Sequence, residues 1–333
     1  MKTEVLTVDA ANPDPEPIRR AAAVIRGGGL VAFPTETVYG LGANALDPAA
    51  VARIFGAKGR PATNPVIVHV ADHDSLINVA AAWPETAAKL AARFWPGPLT
   101  LVVAKQPAVP DIVTAGGPTV AIRCPAHPVA QALIRASGVP IAAPSANRST
   151  ELSPTRVEHV LKGLDGRIEM VLDGGPCPGG LESTVVDVTG DRVKLLRHGL
   201  VSVPMLEAVV GPVEVMVAAD EGAARSPGQM AKHYSPRTEL RLVDRDALVD
   251  ALLEARHAGR RVGSVMFHGT GFAPDIAKLH VSLPADPVFS AAMLYETLFQ
   301  LDQAGLDLIL VESPPDTADW AAIRDRLMRA ASC

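Results

Sequence analysis

Cysteine is scarce: Cys124, Cys177 and Cys333 are the three in a chain of 333 residues. They are odd in number, widely separated and without paired Cys or His spacing, which argues against a disulfide framework and a structural zinc site. Aromatic residues make up 4% of the chain and are not interleaved with basic ones, and the formal net charge is −5. Broad electrostatic capture of nucleic acid is therefore not expected. No apolar run approaches bilayer length, and Met1-Lys2-Thr3-Glu4 lacks the apolar core of a signal peptide, so a cytoplasmic protein with no membrane attachment is expected. A Gly-x-x-x-x-Gly-Lys-Ser/Thr loop is also missing, and Gly27-Gly28-Gly29 precedes a strand rather than following one. Those glycines read as a turn, so a bound nucleotide would use neither a P-loop nor a dinucleotide fingerprint.

Hydrophobic residues reach 48% and charged ones 20%, enough for a sizeable core, and the length points to two domains. Apolar runs such as 65–70 and 99–103 alternate with helical patterns such as 85–94, which predicts an α/β fold. The chain is organised around residues 29–42. Leu30 to Phe33 reads as a buried strand, and Pro34 stops it because it offers no backbone donor. Two hydroxyls, Thr35 and Thr37, follow, and Gly40 and Gly42 allow a tight turn or a close ligand. Asp47-Pro48 opens a helix that delivers Lys58 and Arg60, and hydroxyls beside two close cations suit a phosphate or carboxylate.

The same pattern recurs downstream. Val139 to Ala143 runs into Pro144 and then into Ser145 and Asn147, and Ser153 reads as the N-cap of a helix over 156–161. Arg123 closes a short apolar strand, where the charge must be paired or face a ligand. His69 sits among apolar neighbours, as a satisfied core histidine does. Ser183 and Arg197 lie on two further strand segments, 182–188 and 193–199.

Pro34-Thr35-Glu36-Thr37-Val38-Tyr39-Gly40, Lys58-x-Arg60, Ser145-x-Asn147 and Ser183-Thr184-Val185 stand in this order in the YrdC-type L-threonylcarbamoyladenylate synthases, which the chain resembles over roughly Ala21 to Val210. A Ser-Pro-Gly…His-Tyr-Ser-Pro stretch from Ser226 to Pro236 and the α/β pattern after it are similar to the longer two-domain form. The resemblance implies a YrdC-like catalytic domain (1–211) with a twisted mixed sheet, flanking helices and an open cleft. It further implies a linker that acts as a lid (212–238) and a smaller Rossmann-like α/β domain (239–333).

The implied reaction joins L-threonine, bicarbonate and ATP into L-threonylcarbamoyl-AMP, releases pyrophosphate and uses Mg2+ with the nucleotide. Carried over residue by residue, Lys58 and Arg60 are the catalytic cations. ATP falls to them and to Asn64, Thr119, Ser145, Asn147, Ser153, Arg197 and Tyr234, and threonine to Thr35 or Thr37, His69, Arg123 and Ser183, with no protein-held metal. A monomer that hands its adenylate to downstream tRNA threonylcarbamoyl-transferase proteins is the expectation. Two other functions are weighed: a carbamoyl-adenylate-forming domain of a maturation or carbamoylation enzyme, whose additional acylphosphatase-like, zinc-binding or carbamoyltransferase parts are not evident in the sequence, and a non-catalytic RNA-binding module, which the acid-leaning charge and the lack of interleaved aromatics disfavour.

Overall fold

The computed structural model describes residues 2–216, 234–267 and 277–331. It divides into two compact units. Thr150–Leu152 and Gly179–Leu181 group with the second unit, alongside the described residues from Tyr234 onward.

Eleven strands form one mixed sheet in the first unit: β1 (Glu4–Thr7), β2 (Val31–Phe33), β3 (Gly40–Asn44), β4 (Val68–His69), β5 (Leu99–Ala104), β6 (Thr119–Arg123), β7 (Ile141–Ala142), β8 (Met170–Asp173), β9 (Thr184–Asp187), β10 (Val193–Arg197) and β11 (Val213–Val215). Their order across the sheet is β1-β8-β2-β3-β7-β4-β6-β5-β9-β10-β11. The central strands read as apolar runs because both faces are covered. Leu30, Leu41, Val68, Leu101 and Ile122 share one cluster with the helices Pro48–Lys58 and Glu85–Phe94, whereas Val31, Phe33 and Ile141 share another with Pro15–Arg26 and Pro128–Ser137.

Several local expectations change. Gly40 and Gly42 lie inside β3 rather than in a turn, and a Cβ at Gly42 would stand 2.7 Å from the Phe33 ring and 2.8 Å from Ile141, so this glycine makes room for core side chains. The helix expected over 156–161 runs Val157–Leu164 with Arg156 at its N-cap, and Ser153 is not its cap. Val213–Val215, expected in the linker, pairs in parallel with β10 and extends the large sheet. Most of the lid expected over Ser226 to Pro236, Lys232 and His233 included, falls on 217–233, which lie outside the described residues.

The second unit carries a four-stranded parallel sheet of β12 (Leu240–Val243), β13 (Val262–Phe267), β14 (Leu279–Leu283) and β15 (Leu308–Glu312), in the order β12-β15-β13-β14. Helices Leu248–His257, Pro287–Gln303 and Ala321–Ala331 connect or follow these strands, which makes this unit α/β in the Rossmann-like manner. Tyr234 belongs here. It is 1% exposed in a left-handed conformation (φ 63°), its ring faces Tyr295, and the Arg326 guanidinium lies 4.9 Å from its centre.

Candidate active site

Strand register builds the first half of the site. His69 on β4, Arg123 at the end of β6 and Thr100 on β5 are cross-strand neighbours, which sets the three side chains on one face of the sheet. Thr100 and Ser183, which immediately precedes β9, share a hydroxyl hydrogen bond of 2.7 Å. Arg197, at the end of β10, donates to the Ser183 carbonyl from Nε and Nη2 (3.1 and 2.9 Å) and to the Ser183 hydroxyl at 3.1 Å. One row therefore links His69, Arg123, Thr100, Ser183 and Arg197.

The segment after β2 closes over this row. The Thr35 hydroxyl donates to the Val38 carbonyl at 2.7 Å and accepts from the amides of Thr37 and Val38, an ST-turn that folds the chain back at Pro34. With that proton committed, the 2.8 Å bond between Thr35 and Thr37 is donated by Thr37. Arg123 donates to the Gly97 carbonyl (3.3 Å) and to the Thr35 hydroxyl (3.5 Å), and its Nη2 stands 2.7 Å from Glu36. Sequence reasoning thus brought Arg123 to the site without naming its carboxylate neighbour.

Burial, and then the Arg123 charge, push the His69 imidazole down to about 3, so it is neutral at physiological pH. Its Nδ1 is buried and has no hydrogen-bond partner among the described residues. A neutral imidazole beside a cation is an acceptor suited to a ligand hydroxyl.

The second half is built around Lys58, the last residue of its helix. That helix starts at Asp47, whose side chain accepts the amides of Ala49 and Ala50. Lys58 is 1% exposed, and its ammonium donates to the carbonyls of Ser145 and Asn147, both at 2.5 Å, and to the Asn147 side-chain oxygen at 3.3 Å. The Ser145 hydroxyl also donates to that oxygen (2.5 Å). Arg60 donates to the carbonyls of Asn64 (3.1 Å) and Pro65 (2.7 Å), the residues that lead into β4. Both cations thus shape the loops at the rim, which is how a buried charge is kept.

Ser153 joins the two halves. Its hydroxyl donates to Glu182, next to Ser183, while the neighbouring Pro154 carbonyl accepts the Tyr39 amide and the Tyr39 carbonyl accepts the Ala146 amide. The Tyr39 hydroxyl donates to the Gly175 carbonyl at 2.7 Å and steadies the Gly- and Pro-rich segment there.

One assigned residue stands apart within the first unit. Thr119 begins β6, four residues and about 13 Å along the strand from Arg123. Tyr234 packs within the second unit, as described above. Glu36, Thr100 and Glu182 are site neighbours that sequence reasoning did not name. The alternation along β5 would have marked Thr100, but only tertiary pairing brings out the two carboxylates.

No group of three or more His, Cys, Asp or Glu side chains among the described residues is arranged to hold a metal ion.

Comparison with known proteins finds relatives along the whole chain. The Sua5–YciO–YrdC family model, described as "Telomere recombination", matches residues 23–199, and the model of the threonylcarbamoyl-AMP synthase C-terminal domain matches 201–332. The chain is 44% identical to the threonylcarbamoyl-AMP synthase of Bacillus subtilis over 99% of this chain and 98% of that one. It is 43% identical to that of Pyrococcus abyssi over 94% and 93%. A structure of P. abyssi Sua5 complexed with L-threonine superimposes with a TM-score of 0.93 at 41% identity, covering 99% of this chain and 98% of that one. With both family models matched in sequence along its length, the chain belongs to the Sua5–YciO–YrdC family in its two-domain, threonylcarbamoyl-AMP synthase form.

Proposed function

We infer that this protein is an L-threonylcarbamoyl-AMP synthase: it joins L-threonine, bicarbonate and ATP, releases pyrophosphate, and so begins threonylcarbamoyladenosine formation in tRNA. The observation that carries this reading is the end-to-end similarity to threonylcarbamoyl-AMP synthases over 99% of the chain. The row of His69, Arg123, Thr100 and Ser183 beside a Lys58-centred rim supports it, because such a pair of half-sites suits a small amino acid next to a polyanion.

In this reading Arg123 takes the threonine carboxylate, with Thr35 or Thr37, His69 and Ser183 around the rest of the molecule. Lys58, Arg60, Asn64, Thr119, Ser145, Asn147, Ser153 and Arg197 serve ATP. Chemistry rests on positioning and charge stabilisation with no covalent enzyme intermediate. Magnesium bound with the nucleotide would supply further neutralisation of charge on pyrophosphate. The adenylate passes to tRNA threonylcarbamoyl-transferase proteins downstream.

Pyrophosphate release tests the reading. It is expected to require ATP, L-threonine and bicarbonate together and to be indifferent to RNA. Release driven by carbamoyl phosphate in place of threonine and bicarbonate would assign the chain to the carbamoyl-adenylate formers instead.

A further inference from the structure

One step of the proposed reaction is still without a residue. Threonine arrives with its α-amine protonated, and an ammonium has no lone pair with which to attack carbon. The site needs a group that holds the ammonium and takes its proton.

Glu36 stands where such a group is required. Its Oε2 accepts the Ala126 amide at 3.0 Å, which fixes the carboxylate plane. Its Oε1 lies 2.7 Å from Arg123 Nη2 in an ion pair, and this buried oxygen has no hydrogen-bond partner among the described residues. His127, Cys124 and Cys177 also face it. Burial lowers the imidazole of His127 and raises both thiols, which leaves these three uncharged near neutral pH. Arg123 is then the charge that Glu36 meets. An anion and a cation 2.7 Å apart are complementary to the ammonium and carboxylate that an α-amino acid carries on one carbon.

We propose that Glu36 is a catalytic residue whose Oε1 receives the α-ammonium of threonine while Arg123 takes the carboxylate, and which accepts the proton that frees the amine. The role rests on the reaction assigned above. The ammonium loses one proton to the Glu36 carboxylate, which passes it to solvent. The freed nitrogen pair attacks the bicarbonate carbon, and loss of one water gives the N-carboxylate of threonine. A carboxylate oxygen of that carbamate then attacks the α-phosphorus, and the bond to pyrophosphate breaks.

The test compares L-threonine with 3-hydroxybutyrate, which is threonine without the amine, by calorimetric titration of the full chain. Glu36→Gln is expected to weaken L-threonine about 10- to 100-fold and to leave 3-hydroxybutyrate and ATP unchanged. Its rate of pyrophosphate release, low at neutral pH, is expected to climb as the pH is raised and the amine arrives already deprotonated. Equal weakening of both ligands with no recovery at high pH would mean that Glu36 only orients Arg123, and the proposal falls; unchanged threonine binding defeats it as well. Should Glu36→Gln fail to fold, Glu36→Asp carries the same comparison. Its shorter carboxylate is expected to weaken L-threonine more than 3-hydroxybutyrate, and equal weakening overturns the proposal. Because binding needs no turnover, a native chain that prefers L-threonine through Glu36 yet releases no pyrophosphate defeats the assigned reaction and not the amine contact.

Discussion

Lys58 Nζ lies 2.5 Å from the main-chain carbonyl oxygen of Asn147, a contact between the end of one helix and a loop 89 residues away. The same ammonium reaches the Ser145 carbonyl, so a single buried charge sets the shape of the rim that sequence reasoning assigned to phosphate. Structure and binding are not separable at this residue.

Lys58→Met is accordingly expected to lower stability as well as ATP affinity. A buried carbonyl left unsatisfied costs about 1–3 kcal/mol, and that of Asn147 is buried while that of Ser145 is partly so. Urea unfolding followed by circular dichroism, with calorimetric titration of ATP, measures both. A variant as stable as the native chain would show that water satisfies those carbonyls and that the loop does not depend on Lys58.

Arg123→Lys separates the two substrates. The guanidinium serves Gly97 from Nε and both Thr35 and Glu36 from Nη2, and an ammonium cannot reproduce that spread or offer a bidentate fork to a carboxylate. The apparent KM for threonine is expected to rise about tenfold or more with little change for ATP. Steady-state kinetics with each substrate varied in turn decides it, and equal rises would remove Arg123 from the threonine site.

How much of this was legible beforehand depended on the reach of each interaction. The helix Glu85–Phe94 and the body of β5 show in the sequence because apolar periodicity acts within ten residues. The Gly-containing β3 and the edge strand β1 do not, since glycine gives no strand signal and β1 is largely exposed. Lys58, Arg123 and Ser183 could be singled out as polar groups following apolar runs. Ser153 was read as a cap from local spacing alone, yet its hydroxyl turns to Glu182, 29 residues on. The Glu36–Arg123 and Thr100–Ser183 pairs likewise join residues more than 80 apart, and nothing local in the chain announces them.

His69 predicts a pH dependence of stability with a definite sign. The unfolded imidazole protonates near 6.5, whereas the buried one resists protonation down to about 3. As the pH falls below 6.5 the unfolded state takes up a proton that the folded state refuses, so stability is full above that value and drains away towards 3. His69→Asn removes this proton from the balance. Between pH values of about 6 and 4, its unfolding free energy is expected to fall less steeply than that of the native chain, by up to about 1.4 kcal/mol per pH unit. Parallel slopes in urea unfolding across that range would show that the imidazole is protonated in the fold.

Gly199 makes the last prediction, and its reason lies in a contact between backbones. A Cβ there would stand 2.3 Å from the Thr184 nitrogen, 2.5 Å from the Ser183 carbonyl carbon and 2.6 Å from the Glu182 oxygen. Main-chain atoms cannot rotate aside as a side chain can, so Gly199→Ala must push the end of β10 away from the start of β9. The bonds that sew these segments together would stretch: those of Arg197 to Ser183, and those between the Thr184 hydroxyl and the main chain of Val201. Stability is expected to fall by about 1–3 kcal/mol. Because Ser183 is assigned to threonine and Arg197 to ATP, the KM for both substrates is expected to rise together, unlike the split expected for Arg123→Lys. Gly190→Ala supplies the control, since nothing lies within 4 Å of a Cβ at that position. Thermal unfolding and two-substrate kinetics on the pair decide the matter: if Gly199→Ala behaves like Gly190→Ala in both, close backbone approach does not hold this side of the site.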